Sequence, residues 1–270
     1  MLLPCARAAR IAERLPDDTR HVTPLREGGS LPAIIEADDD GMYVLKFRGA
    51  GQGAKSLIAE LIAGEIARAL GLPIPEIVFV DLNPDLARTE PDPEIQDLIR
   101  ASAGLNLALD YLPGSVTFDP VAGKVDAELA SMIVWFDAFV TNVDRTPRNA
   151  NLLIWHRNLW LIDHGAALYF HHTWTNYLQR SRDRFAGIKD HVLLRFATQL
   201  EAVDSKLTER LTPSLIEPIV NLIPEAWLVD NAPFPQSDQH RSAYIEYLLT
   251  RLERPRSFLE ESTRARTLDI

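Results

Sequence analysis

Asn142-Val143-Asp144-Arg145-Thr146-Pro147-Arg148-Asn149, followed downstream by Leu159-Trp160-Leu161-Ile162-Asp163-His164-Gly165, decides how this chain is read. An aspartate, an asparagine five residues on and an Asp-X-Gly behind an apolar run form a layout suited to phosphoryl transfer. Moving a phosphoryl group to a hydroxyl needs one carboxylate beside that hydroxyl to take its proton. Magnesium needs hard oxygen ligands, which an asparagine amide and a second carboxylate supply. The spacing puts Asp144 and Asn149 at opposite ends of one loop. Asn151–Trp155 and Leu159–Ile162 read as short strands with His156-Arg157-Asn158 as their turn. That hairpin brings Asp163 back to the mouth of the loop. An isolated D-x-x-x-x-N is common and could be a capped turn; the second segment gives it weight.

Upstream, Met42 to Phe47 reads as a strand whose alternation sets Met42, Val44 and Lys46 on one face and Tyr43, Leu45 and Phe47 on the other. A lysine inside an apolar strand is costly without an anionic partner. Phosphate oxygens and a helix glutamate would satisfy Lys46, with Val44 roofing an adenine on the same face. The plainer reading is an edge-strand lysine that snorkels to water. Helical spacing runs from Lys55 to Leu70 and stops at Gly71, with prolines at 73 and 75. Two glutamates on this helix compete as the lysine's partner. Periodicity puts Glu65 near the centre of the apolar stripe and Glu60 almost opposite.

Gly28 and Gly29, beside Ser30, are candidates for a loop whose amides cover phosphates, although a plain turn fits them equally. Gly49-Ala50-Gly51-Gln52-Gly53-Ala54-Lys55-Ser56 imitates a P-loop. It lacks the glycine required directly before the lysine, and no hydrophobic βαβ series follows. It reads as the connection into the helix.

Composition narrows the class. The chain has 270 residues, 46 % hydrophobic and 24 % charged, which excludes disorder as its main state. A net charge of −10 argues against a dedicated nucleic-acid binder, which needs a basic excess. The single cysteine, Cys5, cannot form an internal disulfide, and the expectation is a cytoplasmic protein. Met1 to Cys5 lacks the basic and hydrophobic segments of a lipoprotein signal, and no apolar run is long enough for a membrane helix.

The pattern changes character once. To about residue 115 it shows short strands around one helix, with Asn83 to Pro93 as a turn or exposed insertion and Leu105 to Leu112 as an apolar stretch. Afterwards it is mostly helical, beginning with Asp126 to Thr141 and later broken by prolines at 213, 218 and 224. Trp135, Trp155, Trp160, Trp174 and Trp227 are expected to pack that helical part. The fold class is α+β in two unequal parts, 1–112 and 113–270.

With these residues in place, the chain resembles the HipA-like kinase family, the toxin-type Ser/Thr kinases of bacteria. The likeness runs through Tyr43-Val44-Leu45-Lys46-Phe47, Glu60, Ala67-Arg68-Ala69-Leu70-Gly71-Leu72-Pro73-Ile74-Pro75, Asp144 to Asn149 and Asp163. It continues through His191-Val192-Leu193-Leu194 and Ile223-Pro224-Glu225-Ala226-Trp227, covering roughly residues 20 to 255. The resemblance implies a bilobal protein-kinase-like fold: a small mixed sheet with one helix, then a larger helical lobe, with ATP in the cleft. Asp144 would be the catalytic base, and Asn149 and Asp163 the Mg2+ ligands. Lys46 would hold the ATP phosphates with Glu60 as its partner, and the adenine hinge would fall within Leu107 to Leu112. The acceptor would be a hydroxyl, on a protein serine or threonine; a small-molecule acceptor or a silent nucleotide-binding module are the alternatives. Family analogy adds an antitoxin-like partner and Ser30 as an autophosphorylation site. Two departures stand out: the chain is not expected to carry the extra N-terminal subdomain of the better-known toxin kinases, because it starts close to its own first strand, and histidine occupies the middle of Asp163-His164-Gly165.

Overall fold

Alternation along one strand determines what must cover each side of the first sheet. The computed structural model describes residues 7–10, 23–24, 31–229 and 233–268; Gly28, Gly29 and Ser30 lie outside the described residues. Strands β1 (Arg7–Arg10), β2 (Thr23–Pro24), β3 (Ala33–Glu36), β4 (Met42–Lys46), β5 (Ile77–Leu82) and β6 (Gly104–Asp110) form one sheet in the order β1-β5-β6-β4-β3-β2. β1 runs parallel to β5, and the other neighbours are antiparallel. Val44 stands opposite Leu109 and Lys46 opposite Leu107. Cross-strand partners share a face, so these four side chains point the same way. Helix α1 (Ala54–Ala69) covers that face, packing with Ile77, Leu107 and Leu109.

The opposite face carries Tyr43, Leu45, Phe47, Val78, Val80 and Ala108, and it forms a second core with Ile95, Leu98 and Ile99 of helix α2 (Pro93–Ala101). The sequence reading expects one helix here, and the structure has two. The reason is local as well as global: Asp92 accepts from the Glu94 amide at 2.9 Å, and Pro93 takes the first helical position. An apolar triplet at i, i+3 and i+4 then seals a sheet face that would otherwise meet water.

The connection through Gly49 to Gly53 leads into α1 as expected, and α1 ends in a left-handed glycine. Gly71 has φ +82°, its amide reaches the Arg68 carbonyl at 2.9 Å, and the Leu72 amide reaches that of Ala67 at 2.9 Å. That pattern satisfies the last carbonyls and turns the chain sharply toward β5.

The remainder is built around α3 (Ala127–Phe139), whose residues from Ala130 to Phe139 are all buried. Such a helix has no wet face and serves as the centre of its layer. Around it lie α4 (Tyr177–Arg180), α5 (Leu200–Arg210), α6 (Pro213–Asn221), α7 (Ser237–Leu252) and α8 (Ser257–Leu268). Pro218 sits inside α6 rather than breaking it. A three-stranded sheet of β7 (Val116–Thr117), β8 (Leu152–Trp155) and β9 (Asn158–Leu161) flanks them. Its tight turn places His156 and Arg157 at φ +49° and +66°, as a two-residue hairpin loop demands. The architecture is α+β. The tryptophans do not all pack the helices: Trp155 and Trp160 lie in the hairpin, and Trp227 donates to the Leu105 carbonyl at 3.1 Å while packing on Phe79 of the large sheet. Among the described residues no helix is long and apolar enough to cross a membrane.

Candidate active site

Three distant segments meet at one ammonium. Lys46 leaves β4 on the α1 side and donates to Glu60 Oε2 at 2.5 Å and to Asp163 Oδ1 at 2.6 Å. Glu60, on α1, is fully buried, whereas the Asp163 side chain keeps 40 % of its exposure. Burial alone would lower the pKa of Lys46, but Asp163 and Glu60 together hold it above its ordinary value. Burial would likewise raise Glu60, yet Lys46 and then His164 hold its carboxyl down to about 2. The choice between the two glutamates is settled by geometry. Glu65 faces away from Lys46, pairs with Arg68 at 3.3 Å, and is pushed up by burial.

His164 is the second support of Glu60. Its backbone amide donates to Glu60 Oε2 at 2.8 Å and its ring Nδ1 lies 3.2 Å from Glu60 Oε1. The ring is fully buried, edge-on to Phe136 with centroids 5.8 Å apart. Asp163 itself adopts φ +54°, a left-handed conformation that turns its carboxylate out of β9 toward Lys46.

The second cluster lies in the loop after α3. Asp144 accepts from the Asn149 amide nitrogen at 2.7 Å and from that of Asn151 at 3.3 Å, both on Oδ2. Among the described residues its Oδ1 accepts no hydrogen bond. Beneath the loop sits a buried polar hub that the sequence reading missed. Asp137, fully buried at the end of α3, accepts from Arg145 Nε at 2.6 Å, from Asn142 Nδ2 at 2.9 Å and from His191 Nε2 at 2.9 Å. Burial would raise its carboxyl; Arg145 and His191 hold it well below the carboxylate range. Arg145 also donates to the Asn151 carbonyl and to the Ile162 carbonyl, and the Ile162 amide donates to the Asn151 carbonyl at 3.1 Å. Those bonds connect the loop of Asp144 to the residue just before Asp163. The signal was present in outline: Asp137 interrupts an apolar helix, and a charged residue there needs partners.

The donor set suits a hard divalent cation. With its amide nitrogen on Asp144, Asn149 has its amide oxygen to offer, and with Oδ1 on Lys46, Asp163 has a second oxygen. No cluster of three or more His, Cys, Asp or Glu among the described residues forms a ready-made cage. A magnesium-type ion, which binds through one or two protein oxygens and completes its shell with phosphates and water, fits that sparse set.

Val44 is half-buried on the Lys46 side of the sheet. Across Leu107 to Leu112, where the hinge is expected, most backbone amides already have partners. Leu107 to Leu109 pair with both β4 and β5, and the amides of Asp110 and Tyr111 bond to the Glu76 and Met42 carbonyls at 2.8 and 2.9 Å. The Leu112 amide has no backbone partner among the described residues.

Comparison with known proteins gives the family and the fold. A family model described as HipA-like kinase matches residues 20–261. The fold is similar to that of the Helicobacter pylori proinflammatory kinase CtkA, at 14 % identity and TM-score 0.55, covering 97 % of this chain and 99 % of that one. It is also similar to a Golgi casein kinase with manganese and ADP bound, at 14 % identity and TM-score 0.51, over 96 % of this chain and 75 % of the other. Both are likenesses of fold, which is protein-kinase-like. No curated protein matches the sequence.

Proposed function

The chain belongs to the HipA-like kinase family, and from that premise we propose that it transfers the γ-phosphoryl group of ATP, with Mg2+, to a serine or threonine hydroxyl on a protein. The observation that carries the reading is the convergence of β4, α1 and the end of β9 on Lys46, whose ammonium joins Glu60 and Asp163 within 2.6 Å. Residues 1–112 would bind the nucleotide and 113–270 would supply the catalytic loop and metal ligands.

In this reading Lys46 faces the phosphates, held in place by Glu60, which His164 holds in turn. Val44 roofs the adenine, and Gly28 and Gly29 cover the phosphates. Asn149 and the second oxygen of Asp163 take the cation, which when bound offsets the charge of the transferring group. Asp144 receives the acceptor's proton as the hydroxyl oxygen bonds to the γ-phosphorus and the bond to ADP breaks. Asn149 and Asn151 hold that carboxylate with their amide N–H groups. The test is Asp163→Asn, assayed for magnesium-dependent nucleotide binding and phosphate transfer. The reading expects both to fall by at least ten-fold, and full magnesium-dependent activity in the variant would overturn it.

A further inference from the structure

Helix α1 begins without a cap. Gly53 has no side chain to offer, and the first turn carries no acidic residue. Its leading amides present the positive end of a 16-residue helix with no side chain set against it, although the Ser56 amide turns back to the Gly53 carbonyl at 3.2 Å. A cavity of about 440 Å³ opens at that end, between α1, the segment after Asp163 and α7. That volume lies within the range of small-ligand sites. Gly53, Arg48, Lys55, His172, His240 and Tyr244 form its walls, and no carboxylate is among the described residues that line it. This is unexpected in a chain with a net charge of −10.

Neither Arg48 nor Lys55 is held by a carboxylate among the described residues. Lys55 has no ion pair among the described residues, and Arg48 spends one amino group on the Ala103 carbonyl at 2.8 Å. His240 gives the independent sign of a ligand. It is only 6 % exposed, yet neither ring nitrogen has a hydrogen-bond partner. The nearby Leu228 backbone favours its charged form. A buried imidazole left this way forfeits free energy that a ligand would restore. Burial and then the nearby Lys55 lower His172; burial, Lys55 and Arg241 lower His240 to about 4. Lys55 and Arg48 have no carboxylate partner among the described residues, whereas Arg241 pairs with Asp238 at 3.3 Å.

We propose that this cavity is a binding site for a phosphate-type dianion, either free phosphate or a phosphate monoester carried on a serine or threonine side chain. A tetrahedral oxyanion is what an uncapped helix N-terminus flanked by lysine, arginine and imidazole donors recognises, because several acceptor oxygens meet several N–H groups at once. The site is separate from the cleft. At about 100° per residue, Lys55 and Glu60 project from α1 roughly 140° apart.

The experiment follows the histidine ring signals by NMR during titration with inorganic phosphate, at constant ionic strength against chloride. Loss of a signal in His240→Gln assigns it. The proposal expects a saturable phosphate shift of the His240 signal, weakened at least ten-fold in Lys55→Glu and unchanged in Lys46→Ala. A second arm uses a short phosphothreonine peptide: tighter binding than inorganic phosphate identifies a carried phosphate as the ligand, and equal or weaker binding the free ion. A shift that chloride reproduces, or that survives intact in Lys55→Glu, overturns the proposal. So does loss of the shift in Lys46→Ala, which would place the phosphate in the cleft. No arm depends on phosphoryl transfer, so failure here and failure of the kinase reading are distinguishable.

Discussion

The Lys46 cluster and the Asp144 loop solve opposite problems. Lys46, Glu60 and Asp163 lie far apart in sequence and meet at one ammonium, where the largely buried Lys46 and Glu60 hold each other charged and Asp163 keeps one side to solvent. Asp144 and Asn149 are neighbours in one loop with Asn149 exposed, so their meeting costs little chain entropy. What that loop lacks is rigidity. It comes from below, where Asp137 gathers Arg145, Asn142 and His191. The cluster is positioned by its own charges; the loop is positioned by charges that never touch a substrate.

That contrast can be broken experimentally, and the largest effect on stability should come from the hub. Asp137→Ala leaves Arg145 and His191 buried without their anion, and the expected loss is about 3–5 kcal/mol. Denaturant unfolding measures it, and a loss below about 1 kcal/mol would deny the hub its structural role. Lys46→Ala should cost less stability, because the buried Glu60 keeps its two His164 contacts and can take up a proton. Its main effect should be on nucleotide binding, weakened at least ten-fold by calorimetric titration. A collapsed melting transition with unchanged binding would make Lys46 a purely structural residue.

A smaller effect is set by pH. Glu60 titrates near 2 in the folded chain against an ordinary 4.5. Its share of stability is therefore complete above about pH 4.5 and drains away as pH falls toward 2. Glu60→Gln should flatten that part of the acid-unfolding profile, leaving the share that Asp137 contributes; an unchanged profile would contradict the ion pair. The smallest effect lies outside both regions. Asp126 caps α3 by accepting from the Glu128 and Leu129 amides at 3.0 Å. Asp126→Ala should cost about 1 kcal/mol and leave nucleotide affinity unchanged.

How legible each part was in the sequence follows from how local its cause is. Lys46 stood out because strand alternation needs only a few residues, and the turn at Gly71 because a helix stop is written next to the helix. Glu60 did not stand out, because Leu57 to Ala67 are buried without interruption. A helix wrapped on all sides has no single stripe, so periodicity set Glu65 at the centre of the apolar face and Glu60 almost opposite, although Glu60 is the one that meets Lys46. Helix α2 carried its Asp92-Pro93 start and its apolar triplet in plain view, but the proline- and aspartate-rich run before it suggested an insertion. The hub joins residues 137, 145 and 191, and the cationic cavity joins residues from 48 to 244. Neither leaves a pattern within any short window.

The most direct test of the account is purified protein incubated with labelled ATP and magnesium, beside Asp144→Asn. Phosphate incorporated by the parent, and reduced by about 10²–10⁴-fold in a variant that still binds nucleotide, is the predicted result. Equal incorporation by the two proteins would contradict it, because the proton of the acceptor hydroxyl would then be leaving by some route other than Asp144.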